Sequence, residues 1–449
     1  MKHEMVNFDV LTTDINVFEA SDGRLIAHAP VHGQAFYVDA EMAALIARLK
    51  RNPQGFDAEE DAHRLAALRK AGLFGGNKTP QPRTAVLDAF KPVEATLIFT
   101  ENCNLGCTYC YASSLPIKSR KLSTELLQAA VDLVCENASQ TDQKAASFRY
   151  IGGGEPTVEW ALLEQATDYI SQRSSDSGVS RFIRLITNGT LLTPSRVDWL
   201  SKNIDFITLS FDILPELQAK RPYANGASTQ DKLISVVKEL SAAGVPFHLR
   251  STISAEGAAH LVEMVEYAHA ICGPVQIRFE PMSEIGRSVS EGEAKPAQQQ
   301  FVEAFKAAYK RGRALGVDVT CKQFTNIARK GSRFCDTEFT VTPEGMVSGC
   351  HRYSRKQHDA YDMFKTGSYS DGAFHFDVDQ INALLAIDTN HFDDCKTCSA
   401  RWNCASGCLS ARITNGAVNT HGPLCHLTRE LLKFSIEETM KEKHDVEYS

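Results

Sequence analysis

Thirteen cysteines in 449 residues constrain this chain more than any other feature. They stand at positions 103, 107, 110, 135, 272, 321, 335, 350, 395, 398, 404, 408 and 425, so ten of the thirteen fall into two groups, three early and seven late. The total is odd, and the start, Met1-Lys2-His3-Glu4, lacks the basic-then-apolar order of a signal peptide. A disulfide framework is therefore a poor explanation, because the cytosol keeps thiols reduced. The expectation is a cytoplasmic protein whose cysteines ligate metal. Lys plus Arg (48) against Asp plus Glu (55) leaves a net charge of −7. That is no broad cationic surface for a nucleic acid. No apolar run approaches the roughly 18 residues of a membrane span.

The length suggests about three domains. Residues 1–85 contain no cysteine. Short alternating runs at 14–17, 23–27 and 35–38 predict strands; Asp39 then starts a helix burying Ala43, Ala44, Ile46 and Leu49. A second helix from about Asp57 carries Leu65, Leu68 and Ala71, and a polar, proline-containing linker follows over 77–83. From Glu94, apolar runs at 95–100, 148–152, 182–187, 206–211, 247–252 and 275–279 alternate with amphipathic helical segments. One such helix is 229–243, with Ser228 as N-cap and Gly244 as its left-handed stop. Six strands alternating with helices predict an α/β fold, a partial (β/α)6 barrel of parallel strands with right-handed crossovers. Its functional rim is expected at the C-terminal strand ends. A long helix over 296–315, loop-dominated cysteine-rich sequence to 424 and a terminal helix over 427–441 complete the chain. The divisions expected are 1–85, a core at 93–285, a bridge at 286–334 and a cysteine-rich domain at 335–441.

Cys103-Asn-Leu-Gly-Cys107-Thr-Tyr-Cys110 is C-x3-C-x2-C directly after the first core strand. Three thiolates on one loop can hold three corners of a [4Fe-4S] cube and leave one iron open. The alternative is zinc, which wants a fourth protein ligand; His63 and His248 are both distant in sequence.

This motif after a first strand resembles the radical S-adenosylmethionine (SAM) superfamily. Gly152-Gly153-Gly154-Glu155-Pro156 ends the second strand as that superfamily's GGEP segment does. Thr187-Asn188-Gly189 closes the third strand and Ser210-Phe211-Asp212 the fourth. The resemblance implies that Gly153, Gly154 and Glu155 lie at the SAM ammonium group, with Thr187, Asn188, Ser210 and Asp212 on its ribose side. It places Arg221 at the SAM carboxylate, although one residue is missing between Ser210 and Arg221, and gives Tyr109 and Phe279 as adenine-side walls. The implied chemistry is reductive cleavage of SAM at the open iron, followed by hydrogen abstraction from a substrate by a 5′-deoxyadenosyl radical. A one-electron donor such as flavodoxin or ferredoxin would reduce the cluster.

The late group reads C-x9-G-x4-C over Cys335, Gly345 and Cys350, then C-x2-C-x5-C-x3-C over Cys395, Cys398, Cys404 and Cys408, then Cys425. It resembles the SPASM extension of radical SAM enzymes at every spacing; a pair of zinc knuckles is the alternative. The resemblance implies two auxiliary [4Fe-4S] clusters, three clusters in all. Cys335, Cys350 and Cys408 would hold the first auxiliary cluster, and Cys395, Cys398, Cys404 and Cys425 the second. The first is one ligand short, since position 329, where an eighth cysteine is common, is Arg329. Either Cys321 completes it, which is the reading carried forward, or one iron stays open to a substrate thiolate. Cys135 and Cys272 read as buried small hydrophobes.

The Leu68–Phe74 segment, LRKAGLF, following strands and helices, is similar to the winged-helix-like peptide-recognition domain of ribosomal-peptide biosynthesis, the family of the pyrroloquinoline quinone peptide chaperone. An arbitrary α+β cap is the alternative there. SPASM enzymes act mostly on peptides and proteins. Sulfatase maturases carry an aspartate base after the second cysteine of the first auxiliary cluster, whereas here His351-Arg352-Tyr353 follows Cys350. His351 would be the proton acceptor in its place, or else a supporting surface histidine. The expected function is a peptide maturase that installs an oxidative cross-link in a ribosomally made precursor peptide. The alternatives are a sulfatase-maturase-like or small-molecule radical dehydrogenase, and a non-catalytic iron-sulfur carrier or sensor.

Overall fold

The computed structural model describes residues 14–57, 59–74, 86–114, 120–325, 328 and 330–447. The linker expected over 77–83 and the departure at Arg329 lie outside these.

The N-terminal unit is a three-stranded antiparallel sheet, β1 (Asn16–Glu19), β2 (Leu25–Ala29) and β3 (Gln34–Val38), followed by helices Ala40–Arg51 and Ala62–Lys70. Asp39 caps the first helix by accepting from the Met42 N–H at 2.7 Å. Leu45, not Ala44, joins Ile46 and Leu49 on its buried face, packed against Leu65, Leu68 and Leu73. Strand alternation sends Ile26 and Ala20 to the other face, against Ala400, Leu432 and Ile436. The small sheet therefore docks on the C-terminal region.

The core is one sheet of eleven strands. Six parallel strands, β4 (Glu94–Leu97), β5 (Ala145–Tyr150), β6 (Ser180–Thr187), β7 (Phe206–Ser210), β8 (Phe247–Ile253) and β9 (Gln276–Pro281), coincide with the apolar runs of the sequence. Helices Thr124–Ser139, Trp160–Asp176, Pro194–Asn203, Gln230–Ala242 and Leu261–Cys272 make the crossovers. Gly244 takes the left-handed conformation expected of it (φ +65°), and the Ser228 hydroxyl accepts from the Gln230 N–H at 3.2 Å, although Thr229 occupies the cap position. The sheet extends beyond these six. β10 (Asp318–Thr320) adds in parallel to β9, and at the other edge β11 (Thr340–Val341) pairs in parallel with β4. β11 leads into the antiparallel run β12 (Met346–Ser348), β13 (Lys365–Ser370) and β14 (Ala373–Phe376). Much of what reads as loop beyond residue 320 is thus sheet edge. β10, β11 and β12, of two or three residues each, carry too little alternation to be seen in the sequence. The terminal helix spans Cys425–Glu447.

The register fixes two faces. Leu97, Phe148, Tyr150, Ile183, Leu185, Ile207, Leu209, Leu249 and Ile277 are fully buried beneath the helices, so the residues between them line the opposite, lumen face. His248 is one of these, edge-on to Phe206 with ring centroids 5.1 Å apart. Burial, reinforced by Arg278 and Arg184, pushes it down to about 4. The unfolded chain takes up this proton near pH 6.5 and the folded chain only near 4, so stability rises with pH across that window. We expect a loss of about 2 kcal/mol between pH 7 and pH 5 from this ring alone, read as a lower denaturant midpoint. His248→Gln should flatten that slope.

Candidate functional site

The loop after β4 carries Cys103, Cys107 and Cys110 and is held by backbone from three directions. Its 104–108 stretch pairs with 220–224 through Gly106 N–H to Pro222 O (2.9 Å), Thr108 N–H to Lys220 O (3.0 Å) and Ala224 N–H to Asn104 O (3.1 Å). Beneath it the Glu155 N–H donates to Asn102 O at 2.9 Å. Behind it Arg287 donates from its N–H to Cys110 O (3.0 Å) and from Nη1 to Cys107 O (2.7 Å), and a second guanidinium nitrogen reaches Ser114 O. The close approaches explain two glycines. A Cβ on Gly154 would sit 2.0 Å from Asn102 O, and one on Gly286 (φ +64°) 2.3 Å from Tyr111 O. We expect Gly154→Ala to push residue 102 and the cysteine loop aside and to weaken SAM binding by at least about tenfold, the effect of a displacement costing ~1.4 kcal/mol, measured by equilibrium binding to the reconstituted protein.

The strand-end motifs interlock. The buried Glu155 carboxylate accepts from Thr187 Oγ1 (2.6 Å), Thr157 Oγ1 (2.7 Å), Thr157 N–H (3.1 Å) and Asn188 N–H (2.7 Å). It thereby ties the second strand end to the third. Asn188 Nδ2 donates to Asn104 Oδ1 at 3.0 Å and lies 4.0 Å from Cys103 Sγ. Asp212 accepts from Ser251 Oγ (3.1 Å), Thr252 N–H (3.0 Å) and the Tyr109 hydroxyl. Tyr109 in turn accepts from Arg221 Nη1 at 3.0 Å, while the buried Arg221 Nε has no hydrogen-bond partner among the described residues. That unpartnered donor beside Cys107, on whose thiol Arg221 acts electrostatically, fits an anionic group such as a SAM carboxylate. Gly153 lends its carbonyl to Arg355 at 2.9 Å, and Ser210 ends β7 on the lumen face next to Arg250. Phe279 is placed elsewhere: it is fully buried in the core between sheet and helices, and its neighbours Arg278 and Glu280 face the lumen instead. Strand alternation forbids a wall at that position.

The later cysteines fold into two sets. The turn between β11 and β12 needs Gly345 (φ +79°) and brings Cys350 back beside Cys335; Cys408 joins them across the sequence, each thiol acting on the others. Cys395, Cys398, Cys404 and Cys425 form the other set. A cavity of about 50 Å³ lined by Cys404, Cys408 and Cys425 lies between the two. Burial pushes Cys103, Cys335 and Cys404 up to about 12. Burial also raises Cys408, but Lys322, Arg352 and the Ser410 hydroxyl outweigh it and hold that thiol below its ordinary value. Desolvated thiols in threes and fours suit a metal that takes thiolates. Among the described residues no three cysteine sulfurs lie within 4.8 Å of one another, whereas Glu338, Cys350 and His351 offer ligand atoms within that distance. Cys321 precedes Lys322, which acts on both Cys335 and Cys408. It is fully buried in the main core, accepts at its thiol from the backbone N–H groups of Gln323 and Phe324, and has Glu280 as its strongest charged neighbour. Cys135 (3.6 Å from Ser174 Oγ) and Cys272 (3.2 Å from Ala268 O) pack among helices, as expected of small hydrophobes.

Glu338, Tyr111 and Arg355 join His351 at the site without any sequence signal of their own. His351 Nδ1 lies 3.0 and 3.2 Å from the Glu338 carboxylate, which also accepts the His351 N–H at 2.8 Å. Burial opposes charge on Glu338, but His351 and Arg149 hold its carboxyl well below the usual range. The His351 ring meets Tyr111 edge-on with centroids 6.1 Å apart, and the Tyr111 hydroxyl donates to Gly152 O at 2.7 Å. Arg355, 8% exposed, bridges the two cysteine regions. It donates to Ala112 O (2.6 Å), Gly153 O (2.9 Å), Ser114 Oγ (3.2 Å) and Glu101 O (3.3 Å) and pairs with the Glu101 carboxylate (3.1 Å).

Residues 97–268 match the model of the Radical SAM superfamily. The chain carries a radical SAM domain and is an enzyme of that kind, one that uses SAM and a [4Fe-4S] cluster. It is 22% identical over 360 residues to the serine-type anaerobic sulfatase-maturating enzyme of Klebsiella aerogenes, covering 77% of this chain and 84% of that protein. It is 20% identical over 341 residues to the cysteine-type enzyme of Clostridium novyi, covering 70% and 87%. An uncharacterized protein of Methanocaldococcus jannaschii matches at 27% over 182 residues, 40% of this chain and 59% of that one. Among solved structures, anSMEcpe with bound AdoMet and Cp18Cys peptide superposes with a TM-score of 0.63 at 19% identity, over 79% of this chain and 99% of that one. SuiB of Streptococcus suis bound to precursor peptide SuiA gives 0.50 at 14% identity, over 93% and 100%. No helix among the described residues is long and apolar enough to cross a membrane.

Proposed function

We propose that this chain is a radical SAM peptide maturase that removes hydrogen from a ribosomally made precursor peptide and closes an oxidative cross-link in it. The observation that carries the reading is the position of Tyr111. It follows Cys110 directly, and its ring meets His351, which follows Cys350 directly. A substrate reaching this point lies between the two cysteine regions. In this reading Cys103, Cys107 and Cys110 hold the SAM-binding cluster. Cys335, Cys350 and Cys408 hold a first auxiliary cluster, and Cys395, Cys398, Cys404 and Cys425 a second. Cys321, beside Lys322 that acts on Cys335 and Cys408, would be the fourth ligand of the first auxiliary cluster. When bound, SAM and its cluster supply a radical that abstracts substrate hydrogen. The chain's own part is to orient and to exclude water. Glu338 engages His351 Nδ1, and Nε2, without a hydrogen-bond partner among the described residues, is the atom left to take a substrate proton.

The N-terminal sheet ends in an open strand, β3, which suits capture of a leader peptide as an added strand. The likeness to SuiB leaves about 7% of the chain, some 31 residues, unmatched, so it takes in part of this unit; that to anSMEcpe leaves about 21%, some 94 residues. A second reading, a sulfatase-type maturase, is favoured by the relatives that align over most of the chain. His351 in place of aspartate speaks against it. The test is anaerobic turnover of the reduced holoenzyme with SAM and the short peptide encoded beside it, deuterated in its side chains. Deuterium in 5′-deoxyadenosine and a peptide lighter by two hydrogens support the cross-linking reading. Turnover on a sulfatase peptide alone would replace it with the second.

A further inference from the structure

The lumen face carries a cation that nothing described above employs. Between the buried positions of the sheet, Arg149, Arg184, Arg250 and Arg278 all face the lumen, because their neighbours Phe148, Tyr150, Ile183, Leu185, Leu249 and Ile277 are sealed beneath the helices. Two of the four are answered by carboxylates. Arg149 pairs with Glu94 and, at 3.4 Å, with Glu338. Arg278 pairs with Glu280 at 2.5 Å. Arg184 lies over the Phe206 ring, 5.1 Å from its centroid, with its Nε buried and without a hydrogen-bond partner among the described residues, and it stands away from the strand ends, at the start of the β6–β7 pairing. The Arg250 guanidinium makes no hydrogen bond or ion pair among the described residues, although it is only partly exposed.

Its surroundings suit an anion. The carboxylate that acts on Arg250 is Glu280, already taken by Arg278, and the other groups that reach it are the guanidiniums of Arg278 and Arg352 and the Tyr109 phenol, itself engaged by Asp212 and Arg221. Arg352 donates to the Ser283 hydroxyl at 3.4 Å and lies under the influence of Cys408 and Cys350. SAM does not need Arg250 either, since Arg221 with its unpartnered Nε stands beside Cys107. Desolvation works against the Arg250 charge, so an arriving anion is rewarded. The register places Arg250 beside Ser210, three residues before β8 ends at the rim. Both Arg250 and Arg352 act on Tyr111, the ring between the two cysteine regions. A planar guanidinium on a rigid strand is suited to bidentate capture of a carboxylate.

We propose that Arg250 binds a carboxylate of the substrate, from an acidic side chain or from a chain terminus, and holds it at the reacting position. This rests on the peptide-maturase reading and narrows its substrate to one presenting a carboxylate beside the reacting carbon. The test uses reduced holoenzyme with SAM and three probes: N-acetylaspartate methylamide, N-acetylglycine and N-acetylasparagine methylamide. Paramagnetic broadening of each probe's acetyl methyl NMR line reports approach to the cluster region. At least one carboxylate probe should reach half-effect at a concentration about tenfold or more below the neutral amide; which one does so distinguishes side chain from terminus. The preference should fall to about one in Arg250→Gln and be partly kept in Arg250→Lys. Equal broadening by the aspartate and glycine probes and the asparagine probe in the unmodified enzyme, or a preference that survives Arg250→Gln, overturns the proposal. 5′-Deoxyadenosine measured in the same samples separates the two levels. Its absence counts against the enzymatic reading, whereas its formation without a carboxylate preference counts only against the Arg250 site.

Discussion

Cys107→Ala is expected to abolish formation of 5′-deoxyadenosine and to lower bound iron from about twelve to about eight atoms per chain, one four-iron cluster's worth. Cys107 is the middle ligand of a loop that can offer three corners of a cube. It lies nearest Arg221, whose charge favours the thiolate against the burial that raises it. Two remaining thiols leave two irons unprotected, and the cluster should not survive reconstitution. The readouts are product quantification and iron analysis on the same sample. The auxiliary sets share no ligand with this loop, so their iron should remain. A total of about four in the unmodified protein would mean that the seven later cysteines had been misread, and an unchanged total in the variant would remove the first loop as a cluster site.

Arg355→Gln should destabilise the joint between the two cysteine regions by about 3–5 kcal/mol, the range for breaking a buried, hydrogen-bonded charge. One guanidinium serves three carbonyls, the Ser114 hydroxyl and the Glu101 carboxylate. Its loss leaves buried acceptors without donors, among them the carbonyl of Gly153 in the strand-end glycine turn. The expected result is a lower first thermal transition of the holoprotein together with weaker SAM binding. Arg355→Lys, which keeps the charge but not the fork, should lie between. Arg355 is a positioning residue that follows Cys350 by five positions. The same substitution should therefore shift the spectrum of the SAM-bound cluster even where the protein remains folded, a change that loss of packing alone would not produce.

The six parallel strands were legible because each is a short apolar run bounded by turns and separated by helical periodicity. β10, β11 and β12 were not, since a strand of two or three residues owes its existence to the strand it pairs with rather than to its own composition. Among the candidate site residues, Glu155 and Asn188 turned out to be bonded to one another's strand ends as well as lying at the site, and Phe279 belongs to the core by the parity of its strand.

By itself the sequence determines the cysteine spacings, the strand-end motifs and hence the radical SAM class. These signals are local, because ligands on one loop and glycines in one turn must keep fixed distances along the chain. Tertiary structure alone decides the rest: that Glu338 engages His351, that Arg355 and Arg287 clamp a loop some 180 to 250 residues earlier, and that Arg250 is left without a partner among the described residues. The reason is physical. A buried cation is satisfied, or left unsatisfied, by whatever the fold brings within about 4 Å, and nothing in the neighbouring residues of the chain records which group that will be.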